Sequence, residues 1–144
     1  MILNKRLFFA ITSNSNLRGF ASRPEHAKLR QHLINCKKPN CLICQRKLPI
    51  YLLECSHIKP RSLATRHERH DYNIVNWMCR ICHKIYDKGD IGIKNSVIHK
   101  NSSLDKYTDL ELKNLSEIDF NEYLRSKKYF DYHFKNIFNE ERDI

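Results

Sequence analysis

Hydrophobic and polar positions recur with changing periods along this chain, and the periods predict its elements. The first clear pattern is EHAKLRQHLINC, residues 25–36, in which Leu29 and Leu33 recur at the spacing of one helix face. Pro24 suits the first turn of such a helix, with Ser22 as its cap. We therefore expect an amphipathic helix that braces the segment following it.

Two short apolar runs then predict strands. IYLLEC, residues 50–55, is a β-type segment that we expect to continue to His57, because Pro60 has no N–H to donate to a ladder. The second strand is expected over residues 73–78, where the run IVNWM is rich in β-branched and aromatic side chains. Residues 61–72 carry many cations and little apolar periodicity, which is typical of an exposed loop.

The pattern after the second strand predicts a helix, a hairpin and a longer helix. Cys79 is expected to open a short helix, RICHKIYDK, which Gly89 ends as a C′ glycine. DIGI and SVIH follow as two short strands across a Lys94-Asn95 turn. From Thr108 onward the tail is predicted to be helical, and five of its apolar residues share a face that we expect in the core: Tyr123, Phe130, Phe134, Ile137 and Phe138.

The length of 144 residues suits one domain with a modest core. We expect residues 24–100 to form this core and residues 101–144 to form a helical extension that packs on it. Residues 1–23 are predicted to be a flexible basic arm, in which no acidic residue precedes Glu25. This composition fits either an arm that touches nucleic acid or a mitochondrial transit peptide.

The excess of basic residues predicts a polyanionic partner. The net charge is +10, and residues 1–40, 41–100 and 101–144 contribute +7, +6 and −3. The positive field therefore covers the part of the chain that holds most of the cysteines and histidines. Neutralising phosphates with Lys and Arg releases counterions and gives affinity for DNA or RNA. Charge alone also fits a soluble basic protein without such a partner.

Neither secretion nor membrane insertion is expected. The N-terminal apolar run is shorter than the roughly seven to fifteen residues of a secretory h-region. No segment approaches the ~20 apolar residues of a membrane span. We expect a soluble intracellular protein, cytoplasmic, nuclear or viral, with mitochondria as the alternative if the arm is a transit peptide.

The six cysteines of this short chain favour metal binding over disulfides if the protein is intracellular. Cys36 and Cys55 are expected to be buried apolar thiols. The others form two Cys-x-x-Cys pairs, the usual makeup of a tetrahedral structural Zn²⁺ site. One pair in a turn and the other at a helix start is the layout of a treble clef, and a thiol redox role is the weaker alternative. The predicted zinc ligands are Cys41, Cys44, Cys79 and Cys82.

Three other polar residues suit metal-dependent hydrolysis. His57 ends the first predicted strand, while His83 and Asp87 are four residues apart and therefore share one face of the second helix. Phosphodiester hydrolysis needs a base for the attacking water and a divalent cation at the phosphate. His57 is the candidate base, and His83 with Asp87 is the candidate site for Mg²⁺ or Mn²⁺.

These motifs resemble those of the HNH endonucleases, whose ββα-metal finger is named after a His, an Asn and a His. LLECSHIKPRS followed by NIVNWMCRICHKIYDKG is most similar to the branch with an AHI-x-P first strand and paired cysteines. The resemblance covers roughly residues 25–95. It implies an α+β fold: a small treble-clef or ββα-metal finger held together by the four-cysteine zinc site, with flanking helices.

The resemblance also implies roles for individual residues. His57 is the general base, and Asn73 is the asparagine that braces the loop between the strands. His83 is a metal ligand, and Asp87 stands where related fingers have a second helix ligand. Two departures leave alternatives open. Ser56 occupies the position where many members have a metal-binding Asp or His, and Asn76 competes with Asn73 for the central role.

The expected function is a DNA endonuclease that acts on double-stranded DNA. The alternative is a catalytically inactive, zinc-finger-like module that binds nucleic acid. A single finger makes one cut, so cleavage of both strands would need a homodimer or a partner. Six cations flank the proposed base and helix and are candidates for phosphate contacts: Lys59, Arg61, Arg66, Arg69, Arg80 and Lys84.

Overall fold

The computed structural model describes residues 23–104 and 114–142. The predicted α+β class is confirmed, because these residues form four α-helices and two antiparallel sheets of two strands each. The N-terminal arm up to residue 22, with Ser22, lies outside the described residues, as does the predicted helix start at Thr108. In chain order the elements are α1 His26–Cys36, β1 Leu53–His57, α2 Arg66–Arg69, β2 Val75–Cys79, α3 Arg80–Asp87, β3 Ile91–Lys94, β4 Val97–Lys100 and α4 Phe120–Asn136.

The β1–β2 hairpin has two faces, and a different helix covers each. Cys55 pairs with Trp77 across the hairpin, and both are buried. Since side chains alternate along a strand, His57 lies on the same face as Cys55. Helix α1 covers this face, where the guanidinium of Arg30 lies 5.3 Å from the centroid of the Trp77 ring. Helix α3 follows β2 directly and covers the opposite face, which carries Glu54.

Helix α3 has defined signals at both of its ends. At the start, the Sγ of Cys79 accepts a hydrogen bond from the backbone N–H of Cys82 at 3.5 Å. At the end, Gly89 adopts a left-handed conformation with φ of 80°, as is common for a glycine that follows a helix. A side chain at Gly89 would also collide with the backbone of Ile137. The predicted helix and its glycine stop are confirmed.

Helix α4 packs closely on strand β3 at Gly92. A Cβ atom added there would lie 2.8 Å from the Cβ of Phe138, just after the helix, and 3.0 Å from the ring of Phe134. Both distances are shorter than normal contacts between carbon atoms. Tyr123 and Phe130 of the same helix are buried in the core. The aromatic face predicted for the tail is therefore a packing surface.

Residues 61–72, predicted as an exposed loop, contain regular helical structure. They contain a 3₁₀ turn and helix α2, which begins with a capping box. The hydroxyl of Thr65 accepts a hydrogen bond from the N–H of Glu68 at 3.2 Å, and the Glu68 carboxylate accepts one from the N–H of Thr65 at 2.9 Å. The Thr-x-x-Glu signal is present in the sequence, but the segment lacks the apolar periodicity that would have drawn attention to it.

Several predicted boundaries are also wrong. Ile50–Leu52 and Tyr72–Ile74 form 3₁₀ turns, so both strands begin later than predicted and Asn73 lies in a turn. The β3–β4 connection is centred on Asn95 and Ser96, whose φ angles are 51° and 69°. Two successive positive φ values match the twist of a tight hairpin, and this moves the turn one residue beyond the predicted position.

The ends of the two long helices differ from the prediction as well. Helix α1 begins at His26, and Cys36 is exposed instead of buried because it is the last helical residue, beyond the leucines that pack on the hairpin. Residues 115–119 are not helical. Helix α4 begins at Phe120. The side chain of Asp119 caps it by accepting hydrogen bonds from the backbone N–H groups of Asn121 and Glu122. Among the described helices, none combines the length and apolar character that a membrane crossing requires.

Candidate functional site

The four predicted zinc ligands come together in one cluster. The Sγ atoms of Cys41, Cys44, Cys79 and Cys82 all lie within 4.8 Å of one another. Cys44 and Cys79 are 4.0 Å apart at sulfur, far beyond the roughly 2.05 Å of a disulfide. Four thiolates around Zn²⁺ at about 2.3 Å have sulfurs roughly 3.8 Å from one another, so the cluster fits a tetrahedral zinc site.

Electrostatics within the cluster also favour a cation. Hydrogen bonding from the Cys41 thiol lowers the pKa of Cys79 to about 6 and lowers the pKa of Cys44 strongly. Hydrogen bonds among the thiols raise the pKa of Cys82, since neighbouring negative charges oppose further ionisation. A divalent cation removes this repulsion and permits four thiolates. Arg46 adds positive charge from outside, because its Nε lies 3.4 Å from the Cys44 sulfur.

His57 lies at the end of β1 on the α1 side of the hairpin. Its ring stacks against that of His26, with centroids 6.3 Å apart and planes inclined by 20°. Burial is the main cause that lowers the pKa of His57 to about 4, and the charges of His26 and Arg61 lower it further. The imidazole is therefore neutral at pH 7. Its Nε2 is buried and has no hydrogen-bond partner among the described residues.

His83 lies on the α3 side of the hairpin between two carboxylates. Its Nδ1 is 3.1 Å from Oε1 of Glu54 on β1, and its Nε2 is 3.1 Å from Oδ2 of Asp87. The hydrogen bond to Asp87 is the main cause that raises the pKa of His83, and Glu54 contributes to the same effect. The predicted pair of His83 and Asp87 is thus brought together, with Glu54 as a third member that no sequence motif indicated.

A buried hydrogen bond aligns the end of β1 with the end of α3. The hydroxyl of Tyr86 donates to the carbonyl oxygen of Ile58 at 2.8 Å. Tyr86 precedes Asp87, and Ile58 follows His57. The two predicted functional residues therefore lie at the same end of the ββα unit, although their side chains emerge from different faces of it.

Neither candidate asparagine contacts His57 through a described hydrogen bond. Asn73 is exposed, and its backbone joins the turn to other elements: its N–H donates to Asp71 at 2.9 Å and its carbonyl accepts from Ser126 at 2.6 Å. Asn76 is buried, and its amide donates to the Glu122 carboxylate at 3.1 Å. Asn73 therefore holds the loop through its backbone, whereas Asn76 links the hairpin to α4.

Ser56, which departs from the metal-binding Asp or His of the HNH pattern, is fully buried. Its hydroxyl donates to the backbone carbonyl of Glu54 at 3.2 Å. This hydrogen bond and the absence of exposed surface make Ser56 unsuited to hold an ion.

The six candidate phosphate-binding cations have different surroundings. Lys59 is buried, pairs with Glu68 at 2.8 Å and lies 4.2 Å from the centroid of the Tyr132 ring. Arg61 pairs with the buried Glu25 at 2.6 Å. These two side chains help to hold the loop in place. Arg69 is half-buried and donates to the Arg61 carbonyl, while the exposed members of the group are Arg66, Arg80 and Lys84.

Sequence reasoning missed three residues of this region. Glu54 stands two positions before Ser56 on the same strand face, so strand alternation could have indicated it. Tyr86 gave no signal beyond an apolar position in a helix. His26 belongs to α1, and no local motif connects it with His57.

The part of the chain that holds this site matches a known protein family. Residues 41–94 match the family described as HNH endonuclease. A search of curated proteins finds no match to the chain. The matched range contains both cysteine pairs, the β1–β2 hairpin, α3 and β3, and it indicates a nuclease or another nucleic-acid-related function. The resemblance predicted from the sequence is confirmed: residues 41–94 match the HNH endonuclease family, and the four clustered cysteines fit its paired-cysteine branch.

Proposed function

We propose that this chain is a metal-dependent DNA endonuclease that hydrolyses phosphodiester bonds. One observation carries the proposal: the Tyr86–Ile58 hydrogen bond fixes the end of β1, with His57, beside the end of α3, with Asp87. A candidate base and a candidate ion site are thereby held at the same end of the ββα unit, on its two faces, so a phosphate bound at that end would have to contact both.

His57 is the proposed general base. Because its pKa is lowered to about 4, the imidazole is neutral at pH 7 and able to take a proton from the attacking water. No described residue hydrogen-bonds to Nε2, so this nitrogen is uncommitted within the fold, and as it is buried the attacking water must enter the fold to reach it. Asn73 lies in the turn just before Val75, the strand partner of His57, and its backbone hydrogen bonds to Asp71 and Ser126 hold that turn in place.

His83 and Asp87 are the proposed ligands of a divalent ion, Mg²⁺ or Mn²⁺. Their side chains are 24% and 51% exposed, which leaves room for water and phosphate oxygens beside them. One imidazole nitrogen and one carboxylate oxygen suit these ions, which commonly keep several oxygen ligands from solvent and substrate. A divalent ion supplies charge that polarises the scissile phosphate and stabilises the departing oxygen.

The cysteine cluster is proposed to hold Zn²⁺ for structure alone. Four protein ligands fill a tetrahedral shell, so no position is open to substrate. Cys41 and Cys44 come from the turn before β1, while Cys79 and Cys82 come from the start of α3. Zn²⁺ at this point would fasten the turn to the helix that carries His83 and Asp87.

Double-stranded DNA is the proposed substrate. Arg66, Arg80 and Lys84 are exposed near the ββα unit and suit contacts to backbone phosphates, which position a duplex without reading its sequence. One site cleaves one strand at a time, so cleavage of both strands would require a second copy of the chain.

The test is cleavage of supercoiled plasmid by the zinc-loaded protein. We expect nicked circles in the presence of Mg²⁺ or Mn²⁺ and none with EDTA. Asp87→Asn should lower the rate and raise the Mn²⁺ concentration needed for half-maximal cleavage, because it weakens the ion site. Divalent-independent cleavage, or an Asp87→Asn variant with unchanged metal dependence, would argue against the assignment.

The rival function is a nucleic-acid-binding module without cleavage, and Ser56 is the observation that favours it. A buried serine replaces the ligand that many HNH members carry next to the base. On this alternative the protein binds DNA with a steep salt dependence, yet plasmid stays supercoiled with every divalent ion tested.

A further inference from the structure

The position of Glu54 offers a carboxylate where Ser56 provides none. Both residues lie on the face of β1 that α3 covers, because they are two positions apart in a strand. Ser56 is fully buried and bonded to the backbone, whereas the Glu54 side chain is 41% exposed and directed at His83.

Glu54 and Asp87 bind opposite edges of the same imidazole ring. Glu54 lies 3.1 Å from Nδ1, and Asp87 lies 3.1 Å from Nε2. An ion coordinated by one ring nitrogen cannot also reach the carboxylate on the far edge. In agreement, the described residues contain one group of three or more potential ligand side chains close enough to share an ion, the four cysteines. Glu54, His83 and Asp87 do not form such a group.

We infer that Glu54 is a positioning residue that holds His83 for metal binding. Its carboxylate accepts the proton on Nδ1, which fixes the tautomer and the ring orientation. Nε2 then presents its lone pair beside Asp87, where the two form the ion site. The inference rests on the proposed nuclease function, because it assigns that site its orienting group.

This arrangement explains how the chain can dispense with a ligand at Ser56. A histidine whose other nitrogen donates to a carboxylate is more basic and has a defined direction, and both properties strengthen its bond to a metal. The strand therefore contributes to the ion site indirectly, through Glu54 and His83, instead of by a ligand of its own.

The test compares Glu54→Ala and Glu54→Gln in zinc-loaded protein, with Glu117→Ala as the control at an exposed glutamate. Mn²⁺ affinity is measured by the electron paramagnetic resonance signal of free Mn²⁺. We expect Glu54→Ala to weaken binding about 10- to 100-fold. Glu54→Gln should lose less, because its amide oxygen still accepts the Nδ1 proton, and Glu117→Ala should bind as the wild type does.

Nitrogen NMR of the imidazole ring provides a second readout that simple destabilisation would not change. The neutral His83 ring should carry its proton on Nδ1 in the wild type and in Glu54→Gln, and should become a mixture of tautomers in Glu54→Ala. Unchanged Mn²⁺ affinity in Glu54→Ala would overturn the inference. Equal losses in the Ala and Gln variants would also overturn it, because direct ligation or charge would then explain the effect.

These outcomes separate the inference from the function on which it rests. If the wild type binds Mn²⁺ with the expected dependence on Glu54 but leaves plasmid intact, the positioning role stands and the nuclease assignment fails. If the wild type cleaves plasmid and Glu54→Ala binds Mn²⁺ as tightly as the wild type does, the nuclease assignment stands and the positioning role fails. A wild type without measurable Mn²⁺ affinity contradicts both.

Discussion

The hydroxyl of Tyr86 donates a 2.8 Å hydrogen bond to the carbonyl of Ile58, and through it the last turn of α3 is joined to the end of β1. Tyr86 is fully buried and stacks on His133 of α4 at a centroid distance of 3.6 Å. The same ring therefore connects three elements. Because Tyr86 precedes Asp87 and its partner Ile58 follows His57, this ring links the packing of the core to the backbone of the proposed site.

Removing this hydroxyl should destabilise the protein and slow cleavage. Tyr86→Phe keeps the ring but leaves the Ile58 carbonyl without its donor, which costs about 1–3 kcal/mol for a buried group. We expect that loss in the free energy of unfolding by urea, together with slower nicking at unchanged zinc content. Tyr51→Phe is the matched control, since Tyr51 is 81% exposed. Equal stability of the two variants would show that the hydrogen bond contributes nothing.

Loss of one cluster cysteine should release zinc and unfold the ββα unit. Zinc binding in small fingers is worth roughly 10–16 kcal/mol and becomes folding free energy. Cys82→Ser should therefore lose the zinc found in the wild type by atomic emission, along with much of its circular dichroism signal. Cys36→Ser changes an exposed thiol outside the cluster and should keep both. Full zinc content in Cys82→Ser would refute the four-cysteine site.

Acid should destabilise the protein through His133. Burial lowers the pKa of this residue to about 4 from the ordinary 6.5, while its Nε2 lies 2.8 Å from the Tyr86 carbonyl. Between these two pH values the unfolded chain binds a proton that the folded chain does not, so the free energy of unfolding decreases as pH falls through this window. Urea titrations across it should show a shallower decrease for His133→Gln than for the wild type.

The comparison is made between variants because zinc loss and the other buried histidines also respond to acid. The pKa values of His57 and His26 are lowered too, so these residues also reduce stability in acid, and they do so in the wild type and in His133→Gln alike. The difference between the two pH profiles then reports His133. Identical profiles would mean that its folded-state pKa is close to the ordinary value.

Exposed cations on α3 should contribute to DNA affinity through phosphates. Replacing Arg80 and Lys84 together by Gln should weaken binding and reduce the slope of log K against log salt by about 0.9 for each phosphate that is no longer neutralised. Lys135→Gln, an exposed change on α4, serves as the control. Fluorescence anisotropy with a labelled duplex measures both quantities. A salt slope unaffected by the double substitution would place the DNA elsewhere.

The sequence was most informative where chemistry and spacing coincide. The two Cys-x-x-Cys pairs, the helix that starts at Cys79 and the glycine that ends it follow from local rules, and all appear in the fold. The association of His83 with Asp87 could be predicted as well, since a separation of four residues places two side chains on one helix face.

The remainder depends on tertiary packing that no local pattern encodes. Glu54 reaches His83 only because α3 lies along β1 in this register, and His26 meets His57 only because α1 covers the other face of the hairpin. The Tyr86 hydroxyl is a further case, as its partner is 28 residues away. Cys36 was misplaced because helical spacing does not reveal where the covering surface ends.

The central claim is that His57 acts as a general base, and its most direct test is the nicking rate of His57→Ala beside His67→Ala, which removes an exposed histidine of α2. Both variants should keep the zinc content, Mn²⁺ affinity and DNA affinity of the wild type. General-base catalysis typically contributes about 10²- to 10⁴-fold, so His57→Ala should nick supercoiled plasmid at least ~100 times more slowly while His67→Ala remains active. A His57→Ala protein that nicks at the wild-type rate would contradict the account.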